Sequence, residues 1–380
     1  MATAVPEAPR GLKGLIVAET SVGDVRGEEG FYHYRQYAAP DLAATRSFED
    51  VWWLLFEGEL PTPAERARFA AELTAARELP PEVTALLPAI AAASRTPLTA
   101  LRTALSHLAD VEGLPAMLDV DRARVRSDLV RVCAAVPVIA AALHRLSRGL
   151  EPVAADPDLG TAANYLFMMN GEVPAPERAR AIEQYLILAI DHGFNASTFT
   201  ARVVTSTKAD VGAAIVAALS ALSGPLHGGS PSRALESLDA IGSPERAEAW
   251  VRDAVLNGNR IMGFGHPVYR TADPRSVMLR GVAEKLGGPL VEFATQVEGT
   301  IERTLAELKP GRELHTNIEY YAAVVMELCG LPREMFSPTF AVSRVVGWGA
   351  QILEQAEDTA IIRPSARYVG PAAPQPVPEP

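Results

Sequence analysis

A mainly α-helical protein is what this sequence predicts, on three observations. Apolar residues recur at three- and four-residue spacing through most of the chain after Tyr37, helix-starting and helix-stopping residues punctuate those stretches, and a single stretch reads as β. That stretch, Leu15 to Tyr37, sets two β-rich runs around a turn of Gly and acidic residues, the signal of a short hairpin. Ser47 then caps a helix whose Val51, Trp52, Leu54 and Leu55 form an apolar stripe, with Gly58 as its stop. Thr62, Pro63 and Glu65 make a capping box with proline at the first helical position. Further helices are expected at 64–78, 97–109, 121–148, 157–170, 176–192, 196–206, 210–222, 231–241, 245–257, 274–286, 289–308, 317–329 and 338–357.

At 380 residues the chain exceeds the size at which single cores stop growing, so a two-domain organisation is expected. Between the helix ending near Leu222 and the one starting near Asn317 the composition turns polar and Gly-rich. The expected division is a large helical domain over 1–225 and 331–370, a smaller mobile domain over 226–330, and a disordered Pro-rich tail over 371–380. The net charge of −11 repels polyanions and argues against general nucleic-acid binding, so an anionic ligand must meet local arginines. Cys133 and Cys329 sit apart in apolar stretches, which excludes a disulfide scaffold or a zinc ribbon. The N-terminus lacks an apolar signal core, and the longest strongly apolar runs, Val132 to Leu143 and Val211 to Leu222, are about half of what a bilayer needs. A cytoplasmic protein with no membrane partner is expected.

Phosphate-loop, dinucleotide, zinc-protease and nucleophile-elbow motifs are absent; Gly263 and Gly265 form a GxG with neither a preceding strand nor a third glycine. Four other loci carry chemistry. His227 lies between a helix stop at Gly224 and a start marked by Ser230 and Pro231, where a helix N-terminus disfavours imidazolium; it reads as a neutral hydrogen-bond donor or as a loop histidine bonded to a carbonyl. His266 follows the two glycines, and Pro267 holds it in extended backbone. Asp273 and Pro274 open a helix with Arg275 in its first turn, a cation that opposes the dipole unless an anion binds there, the alternative being an exposed arginine whose cost is tolerated. Thr316 and Glu319 have capping-box spacing, so Glu319 is either a cap or a general base held in a fixed direction. Arg344 stands inside an apolar helix and requires a carboxylate from the protein or from a ligand.

Taken in order, HGFNAST (192–198), GPLHGGSP (224–231), GFGHPVYRTADPR (263–275), TNIEYY (316–321), FAVSRVVGWGAQILEQ (340–355) and IIRPSARYVGP (361–371) resemble the citrate synthase family, a likeness that runs from the hairpin to Gly370. The resemblance implies a two-domain, mostly helical homodimer that closes over its substrates and catalyses a Claisen condensation of acetyl-CoA with oxaloacetate and water, giving citrate and CoA with no metal or redox cofactor. By motif, His227 matches the histidine that hydrogen-bonds the thioester oxygen, Glu319 the carboxylate that deprotonates the methyl group, and His266 the histidine that binds and protonates the oxaloacetate carbonyl. His192, Arg275 and Arg344 match the carboxylate-binding residues, with Arg363 reaching in from the partner subunit; Met262, Gly263, Phe264, Gly265 and Arg270 match positions that bind CoA. Two departures stand out. The family's usual base is Asp, so Glu319 is about 1.5 Å longer and requires a shifted backbone or rotamer. Pro267 occupies a position that often holds Arg or Ala, which removes one cation near CoA. The same scaffold would serve 2-methylcitrate synthesis from propionyl-CoA, and a non-catalytic relative binding a CoA ester or a partner is the reading of a different class.

Overall fold

The computed structural model describes residues 7–225, 227 and 231–378. Near the N-terminus, strands Gly23–Arg26, Phe31–Tyr34 and Tyr37–Ala38 form an antiparallel sheet in that order, with Val25 opposite Tyr32. The expected first strand is shorter than the sequence suggested. Leu15, Ile16 and Val17 find no partner strand and lie exposed, because an apolar run without a ladder to join gains nothing from extension. The sheet's inward side chains, Tyr32 and Tyr34, are buried and donate their hydroxyls to the carbonyls of Leu188 and Ile187 at 3.1 and 2.8 Å, anchoring the sheet beside His192.

All the remaining elements among the described residues are helices, as predicted. Ser47 accepts from the Asp50 amide, Gly58 ends that helix at φ 95°, and Thr62 with Glu65 closes a complete capping box. Two helices escape the sequence reading, Ala39–Thr45 and Pro81–Ala93. The second begins at the second of two consecutive prolines and contains Pro88, so it reads as a broken segment; burial of Val83, Leu87 and Ile90 outweighs the lost backbone bond. The apolar runs were also underestimated. Helix Arg122–Ser147 spans 26 residues and is long and apolar enough to cross a membrane, yet 78% of its apolar window is buried inside the protein, as suits a core helix.

Helix Phe336–Gln355 is the centre of the larger group of helices and packs on Arg122–Ser147, Pro176–Ala189, Ala196–Ser206 and Val211–Leu222. Its small residues let neighbours come close: a Cβ at Gly347 would lie 2.0 Å from the Ile190 carbonyl oxygen, and one at Gly349 would lie 2.8 Å from Phe56. This close approach sets Arg344, one turn earlier, against Ala189 to His192. A second group, Pro231–Ile241, Ala247–Leu256, Pro274–Leu286, Pro289–Leu308 and Ile318–Leu328, packs mostly on its own members and rests on Pro176–Ala189 and Phe336–Gln355. Ser230, the expected cap of the first of these, lies outside the described residues. After Gln355 no further helix occurs among the described residues, and residues 371–378 are exposed.

The Gly347 contact is checkable. Gly347→Ala forces a methyl group into backbone and should destabilise the protein by at least about 1–3 kcal/mol; a guanidinium denaturation midpoint equal to that of the unsubstituted protein would show that the crossing is looser than described.

Candidate active site

Where the two groups of helices meet lies a cavity of about 1470 Å³, and ten of the residues singled out in the sequence line it: His192, His227, Met262, Gly263, Phe264, Gly265, His266, Arg275, Glu319 and Arg344. Two do not. Arg270 is turned outward beside Glu28, 3.8 Å away, because its amide donates to the Gly27 carbonyl and the loop is drawn toward the hairpin. Arg363 is exposed on the C-terminal segment, away from this chain's own cavity. Four lining cations were missed, Arg233, Arg260, Lys309 and Arg312. Only Arg260 carried a signal, standing two residues before the glycine loop; the others reach the cavity through tertiary folding. Six cationic side chains thus line the cavity against two carboxylates, Asp24 and Glu319, within a chain of net charge −11. The cavity selects anions.

Gly263 and Gly265 adopt φ of 83° and 79°, the left-handed region that glycine enters without strain. Their loop is tied to the segment that precedes Glu319. The Gly265 amide donates to the His315 carbonyl at 2.8 Å, the Asn317 amide donates to Gly263 at 2.8 Å, and the Asn317 side-chain amide donates to the Gly265 carbonyl at 3.0 Å. The other end of that side chain accepts from the Glu319 amide at 2.9 Å, so Asn317 caps helix Ile318–Leu328. The expected Thr316–Glu319 capping box is therefore corrected. Thr316 is buried and donates to Glu298 while accepting from Ser276, which leaves the Glu319 carboxylate without cap duty. Burial pushes the Glu319 carboxyl above the usual range, with Arg275 and Arg233 opposing.

The Arg275 reading also changes. Its guanidinium is buried, and Asp273, the N-cap of its own helix, supplies the anion: Nε and Nη2 donate to the two carboxylate oxygens at 2.9 and 2.8 Å. Asp273 further accepts from the Arg275 amide at 3.0 Å and from the Ile318 amide at 3.1 Å, joining the arginine to the start of the Glu319 helix. The pairing holds Arg275 charged.

His266 Nδ1 accepts from the amides of Val268 and Tyr269 at 3.0 and 3.1 Å. Amides can only donate, so the ring proton belongs on Nε2, which faces Arg275 Nη2 at 3.2 Å. Two donors at that distance are satisfied together by an acceptor placed between them. Burial and Arg275 lower the His266 pKa to about 4, so the ring is neutral. The same argument applies to His227. Its Nε2 accepts from the Ser197 amide at 3.3 Å and lies 2.8 Å from the Ser197 hydroxyl, leaving the proton on Nδ1. Burial first, and Arg344 second, keep His227 neutral; the expected neutral state is found, by desolvation rather than by a helix end. His192, neutral for the same reasons, shares a 2.8 Å hydrogen bond with the Tyr269 hydroxyl and meets His266 edge-on.

Arg344 is buried, donates through Nε to the Ala189 carbonyl at 2.9 Å and lies over the Phe340 ring. Asp191 is the nearby protein carboxylate that raises its pKa, yet no ion pair closes between them among the described residues. Burial pushes Asp191 itself up to about 6.

These shifts fix a pH dependence. In the unfolded chain His266 titrates near 6.5 and in the fold near 4, so as pH falls through that interval only the unfolded chain takes up the proton and stability is lost; above 6.5 the shift contributes nothing. Asp191 acts oppositely between 3.8 and about 6, where the folded carboxyl holds the extra proton. His266→Gln removes one of these opposed effects. Its fall in Tm between about pH 7.5 and about pH 5 should be smaller than that of the unsubstituted protein; an equal fall would contradict the neutral buried imidazole.

Comparison with known proteins gives this geometry a family. Residues 11–365 match the family model described as Citrate synthase, C-terminal domain. The chain is 38% identical over 369 residues to citrate synthase of Haloferax volcanii, with 96% of each chain covered. It is 38% identical over 365 residues to 2-methylcitrate synthase of Mycobacterium tuberculosis, covering 96% of this chain and 91% of the relative. Among solved structures, citrate synthase of Thermoplasma acidophilum, in ternary complex with carboxymethyl coenzyme A and oxaloacetate, superposes with a TM-score of 0.90 at 30% identity over 98% of this chain and 99% of that one. Citrate synthase of Pyrobaculum aerophilum gives a TM-score of 0.87 at 36% identity over 97% of this chain and 94% of that one. With its helical fold and its anion-selecting cavity of neutral histidines, arginines and one released carboxylate, this chain belongs to the citrate synthase family of acyltransferase-type enzymes.

Proposed function

We propose that the protein condenses acetyl-CoA with oxaloacetate and water to give citrate and CoA, as a cytoplasmic homodimer without metal or redox cofactor. The observation that supports this most is the single cavity lined by Glu319, with a carboxyl made more basic by burial, and by two histidines whose neutral state leaves an N–H as the free donor. Glu319 takes a proton from the acyl methyl group while His227 Nδ1–H hydrogen-bonds the thioester oxygen as the enol forms. The enol carbon attacks the keto carbon of oxaloacetate, the proton on His266 Nε2 goes to the keto oxygen, and the proton taken up by Glu319 is passed back through the site to His266, which restores both groups. Water then cleaves the citryl thioester and releases the CoA thiol. A placed carboxylate contributes roughly 10² to 10⁴ in rate, and one preorganised donor about 2.7–4 kcal/mol.

The oxaloacetate carboxylates fall to His192, Arg275 and Arg344, with Arg363 entering from the partner subunit. For CoA, the main chain of Met262 to Gly265 faces the cavity, and Arg260, Lys309 and Arg312 supply the cations for its phosphates. The smaller group of helices, carrying His266 and Glu319, closes on the larger group, carrying His192 and Arg344. Two buried free cysteines, Cys133 and Cys329, suit a reducing compartment. A second reading, 2-methylcitrate formation from propionyl-CoA, is favoured by the equal likeness to the mycobacterial 2-methylcitrate synthase, since one methyl group alters discrimination by only about 1–3 kcal/mol.

Thiol release from acetyl-CoA and from propionyl-CoA, each with oxaloacetate, decides between them. Acetyl-CoA should be preferred in kcat/KM, and Glu319→Ala and His227→Ala should each lower kcat by roughly 100-fold or more in a folded protein. A preference for propionyl-CoA above about tenfold selects the second reading, and absence of turnover with either ester selects a non-catalytic binder. The shared site has its own test. Arg363→Ala and His227→Ala proteins, each nearly inactive alone, should regain activity when their subunits exchange, because one site of the mixed dimer is then intact. No recovery after verified exchange would place Arg363 outside the site.

A further inference from the structure

Seven tyrosines are buried among the described residues, and six have an evident hydroxyl partner. Tyr32 and Tyr34 donate to the carbonyls of Leu188 and Ile187, Tyr165 pairs with Thr339 at 3.1 Å, Tyr269 with His192, Tyr320 with the Ala294 carbonyl at 2.8 Å, and Tyr321 with Glu298. Tyr185 is the exception. Its side chain is 1% exposed, it lines the cavity, and its hydroxyl has no hydrogen-bond partner among the described residues. The ring is buried while the hydroxyl opens onto the cavity, where solvent or a ligand, rather than a protein group, accepts from it. The phenol lines the same cavity as Arg344, the arginine proposed to hold the keto diacid, and Glu319, the proposed base, and both charges act on it. Burial keeps the phenol protonated and therefore a donor.

We infer that Tyr185 is a further substrate-contact residue whose O–H donates a hydrogen bond to an oxygen of the keto diacid held against Arg344. The inference rests on the function proposed above and adds a ligand that the sequence motifs do not contain. It explains why a polar group is kept where no protein acceptor meets it: the acceptor arrives with the substrate. Glu319 does not take this bond in the free protein, so the base is not weakened before the substrate is bound.

Tyr185→Phe deletes only the oxygen, and Tyr165→Phe is its control, deleting a partnered hydroxyl on a tyrosine that does not line the cavity. Oxaloacetate binding without any acyl-CoA, measured by calorimetry on the whole protein, should weaken by roughly tenfold to a hundredfold in Tyr185→Phe, the range for a bond to a charged acceptor. Its Tm should stay unchanged, whereas Tyr165→Phe should lower Tm and leave oxaloacetate binding within about twofold. Unchanged oxaloacetate binding in Tyr185→Phe, or a loss of Tm like that of the control, overturns the inference while leaving the proposed reaction intact. Failure of the unsubstituted protein to bind oxaloacetate overturns both.

Discussion

The active-site half of this molecule depends on one carboxylate, that of Asp273. It is buried and accepts four hydrogen bonds: two from the Arg275 guanidinium, one from the Arg275 amide and one from the Ile318 amide. A buried guanidinium is tolerable only when paired in good geometry, and breaking such a pair costs about 3–5 kcal/mol. The fourth bond matters as much as the pairing. It fixes the start of the Glu319 helix relative to the arginine, so the proposed base and one proposed substrate anchor move as a unit. Asn317 makes a parallel connection to the glycine loop, and His266, beyond that loop, faces Arg275. Three separate chain segments are thereby locked into one rigid wall of the cavity.

The opposite wall is organised by a different balance. Arg344, Asp191 and His192 are held there by helix Phe336–Gln355 and the end of helix Pro176–Ala189 that it crosses at Gly347, and His227 is held by Ser197. Burial lowers the pKa of Arg344 and raises that of Asp191, and the two relieve each other only in part. The histidines give up their protons rather than add to the positive field. What remains is a desolvated guanidinium with spare donors in a cavity where cations outnumber carboxylates. Such a wall favours a bound anion, which would supply the charge that the protein withholds.

How far the sequence discloses this depends on the kind of interaction. Helix punctuation such as Ser47, Gly58 and the Thr62–Glu65 box is local and reads directly from neighbouring residues. Ordered motifs placed ten of the named site residues in one cavity. Errors arose where a local pattern competed with a partner distant in sequence. Thr316 and Glu319 have ideal spacing for a capping box, but Glu298 and Ser276 take up Thr316 and Asn317 becomes the cap. Arg275 seemed to oppose a helix dipole, yet its anion stood two residues earlier as a residue assigned only to capping. Leu15 to Val17 have strand character and no strand to join. Tyr185 shows the strongest limit. Nothing in QYLILA separates it from a core tyrosine, because its distinguishing feature is a missing acceptor, a property of tertiary structure alone.

The corrected cap bears on the one residue that departs from the family's usual base. The first amides of helix Ile318–Leu328 are all satisfied by other groups: Ile318 donates to Asp273, Glu319 to the Asn317 side chain and Tyr320 to the Asn317 carbonyl at 3.2 Å. A carboxylate at a helix start ordinarily accepts such amides, and each bond lowers its pKa and its strength as a base. Here no free amide competes for Glu319. The carboxylate lines the cavity, and burial raises its pKa. Burial and relief from capping act in the same direction, toward a carboxylate held in place by its backbone, available to a substrate proton and left unsaturated until the substrate arrives.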